Sequence, residues 1–405
     1  MAPQFLWYIP NTVRPGHRGD DVQTGWADLE LSAELAQLTE RHGWDGALIG
    51  TGWGRPDTLT IATALAARTT TFRPLAAIRP GYWQPAQFAS AAATLDHLSG
   101  GRLLVNIVSG QDDVAAYGDD VTGSPGRYAR TAEFLTIVRR LWHEESVTFR
   151  GEHYWVENST LALRPFGADA GRHPLLYFGG ASESAERVAA AHADVQLFWG
   201  EPLDGVAQRI DRLTSLTESV GREHAPLEFG LRVTTVVRDT SEEAWRVAEE
   251  RVAAMATAAE RATDGANTVP VNTVPVNTVP VNTVPVNTVL ANTVLANTVA
   301  VTDGTPAALG WARAAGQQRL LSLAERSEVL DSCLYTAPGK FGGQGAGTTW
   351  LVGSYDEVAA ALHKYADLGI THFILSDTPY KNEAARVGDE LLPRLITDGS
   401  GHRGS

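Results

Sequence analysis

One cysteine, Cys333, in 405 residues excludes an intramolecular disulfide framework and any cysteine-rich metal site, and it fits a reducing compartment. Basic residues are also scarce. Lys and Arg total 33 against 47 Asp and Glu, a formal net charge of -14, which argues against extended contact with nucleic acid or an anionic membrane surface. No window reaches the ~20 apolar residues that span a bilayer. The opening MAPQFLWYIPN lacks the basic start and long apolar stretch of a secretory signal, so the chain reads as soluble and cytoplasmic. The eleven histidines include no HExxH or HxH pair, and His17, His97, His192, His363 and His372 carry no carboxylate at ligand spacing. A GxSxG nucleophile elbow is missing too, and Cys333 in SCLYTAPGK has no basic neighbour to lower its pKa. A histidine metal site and covalent hydrolysis are thereby disfavoured, while the acidic charge balance leaves small molecules or protein partners.

What is present is a globular composition, 43% hydrophobic and 20% charged, enough to bury a sizeable core. Short apolar runs predict strands at 5–9, 46–49, 72–78, 103–108, 175–178, 195–199, 229–237 and 371–375. Amphipathic stretches at 26–41, 58–67, 85–98, 127–142, 182–192, 202–220, 241–258 and 355–368 predict helices. Asp57, Ser182, Ser241 and Ser354 stand at or near their N-caps. Strand then helix, eight times over, is the pattern of an α/β (β/α)8 TIM barrel with loop insertions. A doubly wound sheet is the runner-up, but it would normally place a glycine-rich phosphate turn after its first strand, where this chain reads PNTVRPGHRG.

Two stretches, about 110–126 and 144–174, fall outside the alternation and read as elaborated loops, the second containing the hairpin-like VTFRGEHYWVEN. From Asn267 the pentapeptide NTVPV occurs four times in tandem, then NTVLA twice and NTVAV once, ending at Val301. Five residues is below the usual unit of stacked repeats, and a proline in every copy of NTVPV blocks a continuous helix. The expected organisation is one barrel domain over 1–397, a flexible insertion at 267–301 that folding can do without, and a disordered tail at 398–405.

A TIM barrel carries its active site at the C-terminal ends of its strands, so the residues after each strand deserve inspection. The sharpest signal among them is LLYFGGASESAERVAA, a strand that ends in Gly179-Gly180 and runs directly into a helix. Glycines let backbone N–H groups approach an anion, and a helix N-terminus adds positive potential. Two readings stand at this point: a phosphate site, or a tight turn merely capped by Ser182.

YFGGASESAERVAA, with ATLDHLSGGRLLVNIVSG, GRYARTAEFLTIVRRLW, VQLFWGEP and EFGLRVTTVVRDTSEEAW, resembles the bacterial luciferase-like flavin monooxygenases. Within them the chain is most similar to the alkanesulfonate monooxygenases, including GAGTTWLVGSYDEVAAALHKYADLGITHFILSDTP near its C-terminus. The resemblance implies a barrel that takes reduced FMN from a separate NAD(P)H-dependent flavin reductase, adds dioxygen at the flavin C4a and oxygenates a small organic substrate. It also suggests a homo-oligomer. A deazaflavin-dependent hydride-transfer enzyme, or an inactive flavin-binding relative, is the alternative.

Carried over by position, Gly180, Ala181 and Ser182 resemble the phosphate turn, with Tyr128 a hydroxyl donor to the same phosphate. Asn106 resembles the residue facing the flavin ring edge, and Trp199 and Arg232 resemble active-site positions. Structural readings stand beside these: a helix-start tyrosine, a backbone-satisfying asparagine, a core tryptophan, and an interior ion pair of Arg232 with a carboxylate such as Asp57. The chain departs from the alkanesulfonate pattern at Thr12, Arg55, Thr234 and Thr378, where that branch carries His, Cys, His and Tyr, and its loop arginine has only Gln344 or Lys340 nearby. Arg55 and Arg79, each just after a strand, offer a different route to an anion pocket.

Overall fold

The computed structural model describes residues 3–11, 29–110, 115–119, 123–222, 224–266, 315–341 and 348–396. Eight parallel strands close on one another in the order β1 (Gln4–Ile9), β2 (Gly46–Ile49), β3 (Arg73–Ile78), β4 (Leu104–Ile107), β7 (Leu175–Gly179), β8 (Val195–Trp199), β9 (Glu228–Arg238) and β13 (Ile370–Ser376), which pairs back with β1. The fold is a TIM barrel, and each of the eight strands predicted from the sequence is one of its staves.

Around it lie α1 (Glu30–Arg41), α2 (Thr58–Ala67), α3 (Pro85–Leu98), α4 (Ser124–His143), α5 (Glu183–His192), α6 (Leu203–Ser219), α7 (Ser241–Ala266), α8 (Ala315–Arg326), α9 (Tyr355–Asp367), α10 (Tyr380–Arg386) and α11 (Leu392–Leu395). The caps follow local chemistry. Asp57 accepts from the Thr60 N–H at 2.8 Å, and Ser354 with Glu357 closes a capping box on α9. Ser241 is already helical; the hydroxyl of Thr240 takes the Glu243 N–H instead, at 3.3 Å. The hairpin read in VTFRGEHYWVEN is β5 (Val147–Arg150) paired with β6 (Trp155–Ser159).

Beyond the eight staves, β12 (Trp350–Ser354) pairs in parallel with the outer half of β9 and continues through the two-residue strands β11 (Leu334–Tyr335) and β10 (Val329–Leu330). The sequence reading had no strand here. This flap is held by its own small core, in which Val236, Trp350, Val352 and Tyr335 pack against Ala244, Ala248 and Met255 of α7. Among the described residues no helix is long and apolar enough to cross a membrane. The pentapeptide tract, Thr12, Gln344 and the 398–405 tail lie outside the described residues.

In-register neighbours of a parallel sheet share a face, which identifies the barrel interior. Tyr177 of β7 reaches His372 of β13, hydroxyl to Nδ1, at 2.8 Å, while His372 Nε2–H donates to Glu228 Oε2 at 2.9 Å. The face of Tyr177 is therefore the inner one. Its register partner Asn106, and Ala77 beyond it, share that face. Close packing in this interior explains Gly46, where a Cβ would sit 2.0 Å from the Arg73 carbonyl oxygen.

Candidate active site

At the C-terminal end of β7 the chain turns through Gly180 into α5. Gly180 has φ 155°, and a Cβ built there would lie 2.5 Å from the Ala185 Cβ and 3.8 Å from the Tyr128 hydroxyl oxygen. Any side chain would thus fill the space between the turn and Tyr128. The Gly180 carbonyl is drawn toward α6 by two donors, Gln196 Nε2 at 3.1 Å and Arg209 Nη2 at 2.7 Å. Ser182 is the N-cap of α5, its Oγ accepting from the Ala185 N–H at 3.3 Å. That bond uses the hydroxyl as an acceptor only, so its proton remains able to serve an anion. The capping reading and the phosphate reading of Ser182 are therefore compatible. Tyr128 of α4, expected beside the 180–182 turn, does face Gly180, and its ring centre lies 6.4 Å from that of Phe178.

β4 carries Asn106 on the inner face, and its Oδ1 is buried with no hydrogen-bond partner among the described residues. A buried amide oxygen without a donor is costly, so this position fits a group that brings an N–H, as the edge of a flavin does.

A second cluster forms where β1, β2 and β3 end, beside the middle of β9. Arg232 is an in-register neighbour of Trp199 and Ile374, and its guanidinium carbon lies 4.6 Å from the centre of the Tyr8 ring. The Tyr8 hydroxyl and Arg55 Nη1 would each lie 3.1 Å from a Cβ on Gly50, so Arg232, Tyr8 and Arg55 are contiguous. Arg55 donates to the Pro10 carbonyl, and Asn11 Nδ2 ties down the same loop through Gly50 O at 2.8 Å and Pro56 O at 2.9 Å. Asp57, an imagined partner for Arg232, caps α2.

Arg79 is buried, donates to the Gly110 carbonyl and stands 5.6 Å from the Tyr82 ring centre. Arg55 and Arg79 line one cavity of about 370 Å³ together with Thr51, Tyr82, Trp83 and Tyr117. The rings of Tyr82 and Tyr117 stack at 3.7 Å, and Trp53 meets Tyr117 edge-on at 4.8 Å. These aromatics and Tyr8 were not among the residues singled out from the sequence; Trp53, Tyr82 and Trp83 stand a few residues after strands and Tyr8 near the end of one, whereas Tyr117 lies in a 3-10 turn ten residues beyond β4. Trp199, half-buried at the end of β8, faces the start of α8, its Cε3 being 3.6 Å from where a Cβ on Gly316 would stand.

The positions that depart from the alkanesulfonate pattern are placed as follows. Thr234 is buried with its Oγ1 3.4 Å from Ser376 Oγ, Thr378 is buried, and Lys340 is exposed in the 3-10 turn Ala337–Phe341. Cys333 is buried, which pushes its thiol up to about 11 and keeps it un-ionised. His372 does meet a carboxylate in space, Glu228, but as a hydrogen-bonded interior group; among the described residues no cluster of three His, Cys, Asp or Glu is arranged to hold a metal.

Residues 4–372 match the family described as luciferase-like monooxygenase. The chain belongs to that family. Among solved structures it is similar to the EDTA monooxygenase EmoA from Chelativorans sp. BNC1, at 17% identity and a TM-score of 0.69 over 100% of this chain and 96% of that one. It is also similar to the riboflavin lyase RcaE, whose crystal structure holds modified FMN and riboflavin, at 18% identity and a TM-score of 0.67 over 98% and 91% of the two chains. A third relative in shape is the coenzyme F420-dependent tetrahydromethanopterin reductase from Methanopyrus kandleri, at 14% identity and a TM-score of 0.61 over 97% and 99%. At these identities the likeness establishes the shared barrel.

Proposed function

We propose that this luciferase-like monooxygenase is the oxygenating component of a two-component system, taking reduced FMN from a separate NAD(P)H-dependent reductase and oxygenating a small, anionic organic substrate. An alkanesulfonate is the first candidate to assay. The observation that carries the reading is the Gly180 turn: a glycine-only backbone at the N-terminus of α5, facing the Tyr128 hydroxyl, is chemistry for a phosphate. Reduced FMN would supply the electrons that activate dioxygen. Within that reading Ala181 and Ser182 present backbone N–H groups and a hydroxyl to the phosphate, Tyr128 donates a second hydroxyl, and Asn106 Oδ1 accepts from the ring edge. Trp199 covers the mouth and excludes water, and Arg232 holds a fixed positive charge where negative charge develops. Arg55 and Arg79 bind the anionic end of the substrate in their shared cavity.

A second reading, hydride transfer with a deazaflavin, draws support from the F420-dependent enzymes among the structural relatives. One experiment separates the two. Titrate the purified protein anaerobically with reduced FMN, oxidised FMN and a deazaflavin, then follow oxygen uptake and peroxide release with a reductase present. Selective micromolar binding of reduced FMN with oxygen uptake is the expected result; deazaflavin binding without oxygen uptake would replace it with the second reading.

A further inference from the structure

Arg209 lies in the middle of α6, is 2% exposed, and was marked by no motif. Its guanidinium works in three directions. Nε donates to Glu186 Oε1 at 3.0 Å, Nη1 to Glu201 Oε1 at 3.0 Å and Nη2 to the Gly180 carbonyl at 2.7 Å, with the Phe198 ring centre 4.7 Å from its carbon. Glu186 stands in the first turn of α5 and is shared with Arg212; Glu201 follows β8 and is shared with Arg319 of α8.

The consequence for the turn is geometric. In a trans peptide the carbonyl and the next N–H point in opposite directions. Arg209 and Gln196 both pull the Gly180 carbonyl toward themselves, so the Ala181 N–H is aimed the opposite way, out of the α6 side of the turn. A lysine would present one charge but not the planar fork that reaches two carboxylates and a carbonyl at once. On the other side of the same network, α8 is held by the Arg319–Glu201 pair and by the approach of Gly316 to Trp199.

We propose that Arg209 is the positioning residue for the 180–182 turn, and that the buried chain Gly180–Arg209–Glu201–Arg319 couples binding of a phosphomonoester at that turn to the seating of α8. The inference rests on the phosphate reading of the turn. It makes α8, which runs into the mouth at Trp199, sensitive to whether the turn is filled.

The test compares reduced FMN with reduced riboflavin, which differ only in the phosphate, by anaerobic titration of the full chain. The wild type is expected to prefer FMN by about tenfold or more, the worth of a charge-assisted hydrogen bond or two. Arg209→Lys should bring that ratio close to one while moving the riboflavin constant by less than about twofold. Arg319→Met, at a side chain 35% exposed and so tolerant of change, should lower the ratio several-fold. Amide hydrogen exchange across 315–326 should slow with FMN more than with riboflavin in the wild type and equally with both in Arg319→Met. A wild-type ratio near one would sink the phosphate reading and this inference with it. With a clear wild-type preference, an Arg209→Lys protein that keeps it would overturn the positioning role. Unchanged ratio and exchange in Arg319→Met would overturn the coupling, whether or not the Arg209 variant folds.

Discussion

The guanidinium of Arg232 rests over the ring of Tyr8, 4.6 Å from its centre, with Arg232 in the middle of β9 and Tyr8 near the end of β1. A cation stacked on an aromatic face keeps its charge while losing its freedom to move, which is what preorganised electrostatic stabilisation requires. Arg232→Ala is expected to lower turnover by ~10² to 10³ with the fold intact. Flavin affinity should change by less than about twofold, since the residue is assigned to developing charge and not to the phosphate. Turnover unaltered in a folded variant would leave Arg232 as a packing partner of Tyr8.

In the proposed reading, phosphate binding divides between Ser182 and Tyr128. Each would contribute a hydroxyl to a charged oxygen, worth ~1.5 to 3 kcal/mol. Ser182→Ala should weaken reduced-FMN binding by about tenfold or more and also loosen α5, because the same Oγ caps the helix at Ala185. Tyr128→Phe should weaken FMN without that loss of stability. Measuring affinity and melting temperature on both variants separates the two roles, and an unchanged FMN constant in both would remove the turn from the flavin site.

The barrel was legible because its eight staves are short apolar runs that alternate with amphipathic helices, a pattern fixed by burial on both faces of a parallel sheet. The flap strand Trp350–Ser354 was not, because its apolar run follows a glycine-rich stretch and its partner is the outer half of an already assigned strand, Glu228–Arg238. The Gly180 turn and Tyr128 were legible in motif form. Their support was not: Arg209 and Gln196 act through side chains from two other elements on one carbonyl, and Tyr8, Arg55 and Arg232 meet only when the barrel closes. Contacts between residues distant in sequence leave no periodic trace.

Arg55 and Arg79 share their cavity with Tyr82 and Tyr117, so charge and flat apolar surface stand side by side. Arg55→Ala, at the more accessible of the two arginines, is expected to raise KM for an anionic sulfonate by about tenfold while leaving kcat within about threefold, the signature of lost ground-state binding. A neutral substrate of the same shape should be indifferent to the change. Equal effects on both would assign Arg55 to holding the β2 loop through Pro10.

The last prediction concerns pH. Glu383 of α10 is buried beside Asp377, and both carboxylates are ringed by arginines: Arg238 donates to Glu383 through two bonds of 3.2 Å, Arg386 reaches it at 3.2 Å, and Arg251 of α7 holds Asp377. Burial first, and the Asp377 charge second, push the Glu383 carboxyl up to about 7, against the pull of Arg238, Arg386 and Arg251. A carboxyl raised on folding binds its proton more tightly in the folded chain than in the unfolded one. Its stabilising contribution is therefore complete below the ordinary value of 4.5 and is lost as pH rises through about 7. Glu383→Gln keeps the shape and cannot ionise, so it is expected to remove this dependence. Across that window the wild type should lose stability relative to the variant, by on the order of 3 kcal/mol in all. Urea unfolding of both proteins at a series of pH values from 4.5 to 8 measures the difference directly, and taking the difference cancels the titration of other groups, such as the buried His192 held down to about 4. A difference that stays constant across the window would mean that Glu383 remains ionised against Arg238 throughout.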